Sequence, residues 1–215
     1  MSDPKSVFLF GYSGHAYVII ESLLDAGFHI AGYFDLKETE FNPYNLPYLG
    51  FEKSVDVKSI VKDSLVFPAV GENNIRAKLI HFFEVLNLKQ FVLIDPSANV
   101  SNTALISVST YIGKKVSINA QSKIGKGSII NTNSVIEHEC KIGDYVHIAP
   151  GSVLCGNVTV GNSSFIGANT VIKQNTSICS KVTIGAGSVV VKNINFEGVY
   201  FGNPVIRKEG NGSKE

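Results

Sequence analysis

From residue 100 onward the chain places a large aliphatic residue at every sixth position. Val100, Ile106, Ile112 and Ile118 open a series that runs unbroken to Ile184 and Val190, sixteen positions that are all Val, Ile or Leu. Four residues after each stands a small or β-branched residue, among them Ser122, Ser128, Ser134, Cys140 and Ser152. In a short strand, positions i and i+4 point to the same side, so both members of each pair are read as inward-facing. The Gly or Asn that often follows the aliphatic, as at Gly113, Asn119, Gly125 and Asn131, suits a turn between strands. Six residues per face and three faces per turn predict a three-sided β-solenoid of about five coils, spanning residues 95–192.

The first 94 residues carry a different pattern. Val7–Phe10 reads as a buried strand, Gly11–His15 as a tight turn, and Ala16–Ala26 as a helix ended by Gly27. Ile30–Phe34 follows as a strand ending at Asp35; Leu65–Val70, Gly71–Asn74 and Ile75–Leu86 repeat the strand, turn and helix. Residues 1–94 are therefore expected to form a small Rossmann-like parallel α/β domain. Its ligand crevice lies where Gly11–His15, Asp35 and Gly71–Asn74 converge at the strand ends. Only Gly11 and Gly14 match the three glycines of a dinucleotide fingerprint, which argues against NAD. Asp35 and Lys37 suit a nucleotide's ribose and diphosphate instead. Residues 37–63 read as a connector with a helix near Val55–Lys62. Residues 193–215 read as a C-terminal extension whose polar end, Glu209–Glu215, is expected to fray.

Composition narrows the partners. Nineteen basic and eighteen acidic residues among 215 leave a net charge of +1, so nothing marks a nucleic-acid surface. No apolar run is long enough for a signal peptide or a membrane span. Cys140, Cys155 and Cys179 show neither CxxC nor CxxH spacing, so no disulfide framework or metal is expected and a cytoplasmic location fits. Cys140 sits in an inward small-residue slot, which makes it a structural thiol.

Two histidines fall on the solenoid. In repeat phase His138 follows the inward Ile136 by two residues and His147 precedes the inward Ile148 by one, so neither enters the core, and both are read as flanking one corner. Glu139 adjoins His138, and a carboxylate on an imidazole raises its basicity and fixes its tautomer, as a general base requires. Adjacent side chains on a strand diverge, so that contact depends on the geometry of the turn.

The hexad pattern resembles the hexapeptide-repeat family, which implies a left-handed parallel β-helix and acyl transfer by a trimer. The segment Asn131-Thr132-Asn133-Ser134-Val135-Ile136-Glu137-His138-Glu139-Cys140, with Ile142-Gly143 and His147, and the upstream Gly11-Tyr12-Ser13-Gly14-His15 are similar to one branch of it. That branch is the PglD- and NeuD-like acetyltransferases that modify the amino group of nucleotide-linked sugars. The resemblance implies acetyl-CoA as co-substrate and no metal. It implies His138 as base, Glu139 as its modulator, and His147 as a donor near the acetyl carbonyl. It further implies Gly156, Ala168 and Ala186 in the CoA groove, with Ser13, Gly14, His15, Asp35, Lys37, Gly71 and Asn131 on the substrate side. The substrate implied is a UDP-4-amino-4,6-dideoxy sugar destined for a glycan, bound at sites between subunits of a homotrimer. Two departures, Leu36 after Asp35 and Glu72 after Gly71, bear on the acceptor.

Other readings start from the same residues. A histidine can deprotonate an alcohol as well as an ammonium, which leaves open O-acetylation of a sialic-acid-like sugar, or a GDP- or dTDP-linked amino sugar. A non-catalytic nucleotide-sugar binder would keep Ser13-Gly14-His15 with a silent His138. A solenoid carbonic anhydrase needs three imidazoles on zinc, and only two lie on the solenoid.

Overall fold

The structure, a computed structural model, describes residues 6–208; residues 1–5 and the polar tail 209–215 lie outside the described residues. The chain begins with β1 (Ser6–Phe10), α1 (Gly14–Asp25), β2 (His29–Phe34), α2 (Val57–Val61), β3 (Leu65–Pro68), α3 (Asn73–Val85) and β4 (Lys89–Gln90). The four strands form one parallel sheet in the order β2-β1-β3-β4. Alternation along β1 decides the layers. Val7 and Leu9 pack with Ala16, Ile19, Ile20 and Leu23 of α1, whereas Phe8 and Phe10 pack with α2 and with Leu79, Ile80 and Phe83 of α3. Helices thus cover both faces, as a parallel sheet requires. The crevice lies between the C-terminal ends of β1 and β3, where the strand order reverses. Gly11 borders it with φ +99°, and a Cβ there would lie 2.4 Å from Val70 Cγ2.

The solenoid follows as two-residue parallel strands stacked eighteen residues apart, for example Val135 beside Val153 and Val171. The first rung is β5 (Leu93–Ile94), in phase with the repeat and one face earlier than Val100. One of the three sheets holds six rungs, which sets about six turns rather than five. Ile112, Ile130, Ile136, Ile148, Ile166 and Ile184 are completely buried in one continuous core. The small inward positions solve a separate problem. The buried hydroxyls of Ser122, Ser128, Ser134, Ser152 and Ser164 donate to the backbone carbonyl fifteen residues on, at 2.7 Å for Ser122 to Glu137, 2.8 Å for Ser128 to Gly143 and 3.0 Å for Ser134 to Ala149. A buried hydroxyl without such a partner costs on the order of 1–3 kcal/mol.

The glycines after the aliphatics serve closeness of stacking, not the turn. The left-handed residue of each corner comes two positions later, at Lys115, Gln121, Asn133, Glu139, Tyr145 and onward every sixth residue. A Cβ on Gly161 or Gly167 would instead meet backbone of the next coil at 2.4 Å or 2.6 Å. At the far end, Gly198–Gly202 joins the sheet beside Val182–Ile184 and turns back as a hairpin to Val205–Arg207.

The two parts share a junction. Leu93, Tyr111 and Ile129 of the solenoid belong to the same core as α1. Ser22 of α1 donates to buried Asp95 at 2.6 Å and lies 2.8 Å from the Tyr111 hydroxyl. Among the described residues no helix is long and apolar enough to cross a membrane.

Candidate active site

The residues singled out from the sequence fall into three places. The first is the corner after Val135–Ile136. Glu139 adopts φ +62°, a conformation that costs a non-glycine residue about 1 kcal/mol. That turn folds its side chain back to its neighbour, and His138 Nδ1 lies 3.1 Å from Glu139 Oε2. Both side chains are more than half exposed. A carboxylate only accepts, so Nδ1 is the donor, and in the neutral ring Nε2 is the nitrogen that can accept a proton. The Cε1–Nε2 edge of the imidazole stands over Gly156 of the next coil, and a Cβ on Gly156 would stand 2.6 Å from both atoms. His138, Glu139, Cys155, Gly156 and Gln174 line an open cavity of about 430 Å³. Gly156→Ala is expected to displace the ring and lower kcat about 10- to 100-fold. Thermal melting should be unchanged, because the Gly156 backbone is not left-handed. Melts and steady-state rates on one preparation check this, and an unaltered kcat would remove the packing argument.

The second place is the junction between the parts. His147 Nδ1 lies 3.3 Å from the Gly71 carbonyl, and Nε2 lies 3.3 Å from Asn131 Nδ2. Its ring centroid is 6.2 Å from that of His15, and Gly71 approaches His15 closely. Burial, with the Arg76 charge, pushes His147 down to about 4; burial, with His147 and Arg76, pushes His15 down to about 3. Gly71, Asn73, His147, Phe165 and Thr183 line a second cavity of about 510 Å³. His138 and His147 therefore do not flank one corner: the strand Lys141–Ile142, and with it a whole face, separates them. The reason is the short path of the hexad, in which nine residues pass one complete side of the prism.

Ser13 and Gly14 immediately precede His15 of the junction, and Asp35 lies against the same turn. Ser13 starts α1 without capping it through its side chain, and the space beyond Gly14 is open. Asp35 accepts from the backbone N–H of Tyr12 at 2.8 Å, which draws it to the same turn. It borders two hollows, one shared with Lys37 and Tyr12, the other a mostly apolar crevice of about 430 Å³ with Phe34, Leu36, Phe51, Glu52 and Phe82. Glu72 closes the other helix to anions, because its carboxylate already accepts from the N–H groups of Asn74 and Ile75 at 3.1 Å and 2.6 Å. The third place holds Ala168 and Ala186, at the corner after Phe165–Ile166 and its successor one coil on. The face carrying Val135, Val153, Val171 and Val189 lies between this corner and Gly156.

Sequence reasoning missed Arg76 and Tyr111 at the junction. Arg76, in the first turn of α3, reads as a solvated charge, and nothing in a helical pattern marks it otherwise. Tyr111 precedes an inward isoleucine and reads as an outward residue; the covering domain buries it. Among the described residues no group of three His, Cys, Asp or Glu is placed to hold a metal.

Two family models match the chain, the PglD N-terminal domain over residues 6–83 and the bacterial transferase hexapeptide over residues 121–156. Perosamine N-acetyltransferase from Caulobacter crescentus, solved as a histidine variant with CoA and GDP-perosamine, is 31% identical with a TM-score of 0.91; the match covers 95% of this chain and 97% of that one. The acetyltransferase domain of PglB from Neisseria gonorrhoeae FA1090, solved with acetyl coenzyme A, is 30% identical with a TM-score of 0.87 over 95% and 100% of the two chains. WeeI from Acinetobacter baumannii AYE shares the fold at 22% identity, with a TM-score of 0.80 over 94% and 99%. With both of its parts matched in order and along nearly their full length, the chain belongs to the hexapeptide-repeat, left-handed β-helix acetyltransferases that carry a PglD-type N-terminal domain.

Proposed function

We propose that this enzyme moves the acetyl group of acetyl-CoA directly to the amino group of a nucleotide-linked sugar, with His138 as general base. The single observation that carries the reading is the His138–Glu139 contact at 3.1 Å over an open, glycine-floored cavity. A sugar amine is an ammonium ion in neutral water. It must first release one proton to water to free its lone pair; His138 Nε2 takes a second as the amine nitrogen adds to the thioester carbonyl, Glu139 stabilises the imidazolium that forms, and that imidazolium protonates the departing thiolate. The carbonyl oxygen gains charge as the C–N bond forms, and the thiolate of CoA leaves as the oxyanion collapses. His147 has both ring nitrogens occupied, so we assign the oxyanion donor to a backbone N–H at the Gly156 corner and His147 to the substrate side.

Ser13, the open N-terminus of α1 and His15 suit the diphosphate, and Asp35 with the adjoining crevice suits ribose and base. The nucleotide is read as UDP, which the sequence resemblance to the PglD-like branch implies. A second reading, GDP, is favoured by the Caulobacter relative whose complex holds GDP-perosamine. The partly exposed valine stripe Val135, Val153, Val171 and Val189 supports reading this face as a self-association surface. It lies between the Gly156 corner and the Ala168–Ala186 corner, so a copy packed on it would give both a second wall and complete a CoA groove in a homotrimer. The reading places the enzyme in the cytoplasm, with both co-substrates.

Free-thiol release from acetyl-CoA tests this, with UDP-, GDP- and dTDP-linked 4-amino sugars each beside its 4-hydroxy counterpart. Release with one amino sugar and not its hydroxy partner is expected. Release only with a hydroxy sugar would establish O-acetylation, and silence across a panel whose members still bind would leave a binder without catalysis.

A further inference from the structure

Arg76 is 1% exposed, and its partners among the described residues are all neutral oxygens. Nε donates to the Gly127 carbonyl at 2.6 Å; Nη1 donates to Gly71 at 2.9 Å and Val70 at 3.2 Å; Nη2 donates to Asn73 Oδ1 at 2.8 Å and the Tyr145 carbonyl at 3.3 Å. Its five N–H groups are all used, two of them across the junction. A buried charge that makes no direct ion pair is costly to desolvate, and Glu72 reaches Arg76 only through space. A strap between two domains does not require a charge.

The Gly71 carbonyl has a second visitor, His147 Nδ1 at 3.3 Å. A carbonyl only accepts, so Nδ1 carries hydrogen. The other end of the ring gives the same answer independently. Asn131 Oδ1 accepts from the Thr132 N–H at 2.8 Å, which turns Asn131 Nδ2 toward His147 Nε2 at 3.3 Å. An amide nitrogen only donates, so Nε2 is the unprotonated nitrogen. We propose that Arg76 is a positioning residue for acetyl transfer: by anchoring the Gly71–Asn74 turn to the solenoid, it fixes His147 as the neutral, Nδ1-protonated tautomer on the wall of the substrate cavity.

Two further observations agree. Asn73, held by Arg76, donates from its own Nδ2 to the Ser163 and Ser164 carbonyls at 3.3 Å and 3.1 Å, so the same turn is tied to the solenoid twice. Burial first, and the Arg76 charge second, disfavour an imidazolium at His147. The groups facing the ring are His15 from α1, Arg76 from α3, and Asn131 and Phe165 from the solenoid. Glu72 acts on Arg76 and raises its pKa. None of these offers His147 a carboxylate.

The inference rests on the cavity being the nucleotide-sugar site, and its test separates the two. Imidazole ¹⁵N spectra of the wild-type protein at pH 7 are expected to show His147 protonated on Nδ1; protonation on Nε2 overturns the proposal without any variant. In Arg76→Gln the His147 titration should move up toward the ordinary histidine range. The KM for the nucleotide sugar should rise about tenfold, with the KM for acetyl-CoA unchanged. Arg76→Lys should keep the low titration through its charge and still lose substrate affinity, because it lacks the fork. A folded Arg76→Gln with unchanged titration and KM overturns it. Should Arg76→Gln not fold, Asn131→Ala serves: the Nδ1 tautomer is expected to persist, and a switch to Nε2 overturns the proposal. If no sugar in the panel is acetylated, the functional reading fails while the spectra still decide the role of Arg76.

Discussion

His138→Ala is expected to lower kcat about a thousandfold while nucleotide-sugar binding is retained. General-base catalysis by a positioned imidazole contributes about 10²- to 10⁴-fold, and here a second contribution is removed with it, the Glu139 carboxylate that no longer faces a cation. The side chain is more than half exposed and belongs to no core cluster, so the fold should lose little. In the proposed reading, substrate is bound by Ser13, His15 and Asp35, away from the His138 corner, so calorimetric titration with the nucleotide sugar should give the wild-type affinity. Added imidazole should restore part of the rate, because removing the ring leaves space over Gly156. A variant that turned over at the wild-type rate would show that the proton leaves by another route and end the assignment of the base.

Acidification from pH 7 to pH 5 is expected to cost the folded protein about 4 kcal/mol through His15 and His147. Both are held neutral when folded, at about 3 and about 4 against an ordinary value of 6.5. Below pH 6.5 the unfolded chain takes up two protons that the folded chain refuses, so stability falls as pH drops and continues to fall until the folded values are reached. At pH 5 each group lies about 1.5 pH units inside that window, which corresponds to about 2 kcal/mol apiece. The physical cause at His15 is plain, since its Nε2 is buried without a hydrogen-bond partner among the described residues and the ring would become charged 6.2 Å from His147 and near Arg76. For a domain of this size the melting temperature should drop by about 10 °C. His15→Asn should halve the dependence. A melting temperature that stays level between pH 7 and pH 5 would mean that the junction opens to water and the histidines titrate freely.

The solenoid was legible because its core is local. Each aliphatic packs against residues a fixed eighteen positions away, so the packing rule is written as a period, and Ile94 extends that period to a rung that an aliphatic count beginning at Val100 leaves out. The buried serines were legible as inward positions, although not as donors, since their acceptors fifteen residues on belong to the stacking of coils. The glycines were assigned to the turn by their composition. The coil geometry puts the turn two residues later, at positions such as Glu139 and Tyr145, and gives the glycines to the close approach between coils.

The amino-acid order by itself determined the two-part architecture, the inward residues, the family and the presence of a carboxylate next to His138 in sequence. It did so because strand alternation and a six-residue repeat act over distances shorter than one coil. Tertiary structure alone decided that Glu139 turns back onto His138, that Gly156 floors the ring, and that His147 belongs to the domain junction and not to the His138 corner. It also decided the fate of Arg76, a helix-surface charge by pattern, which is stripped of water only because the solenoid corners at Gly127 and Tyr145 arrive with carbonyls that no sequence period places there.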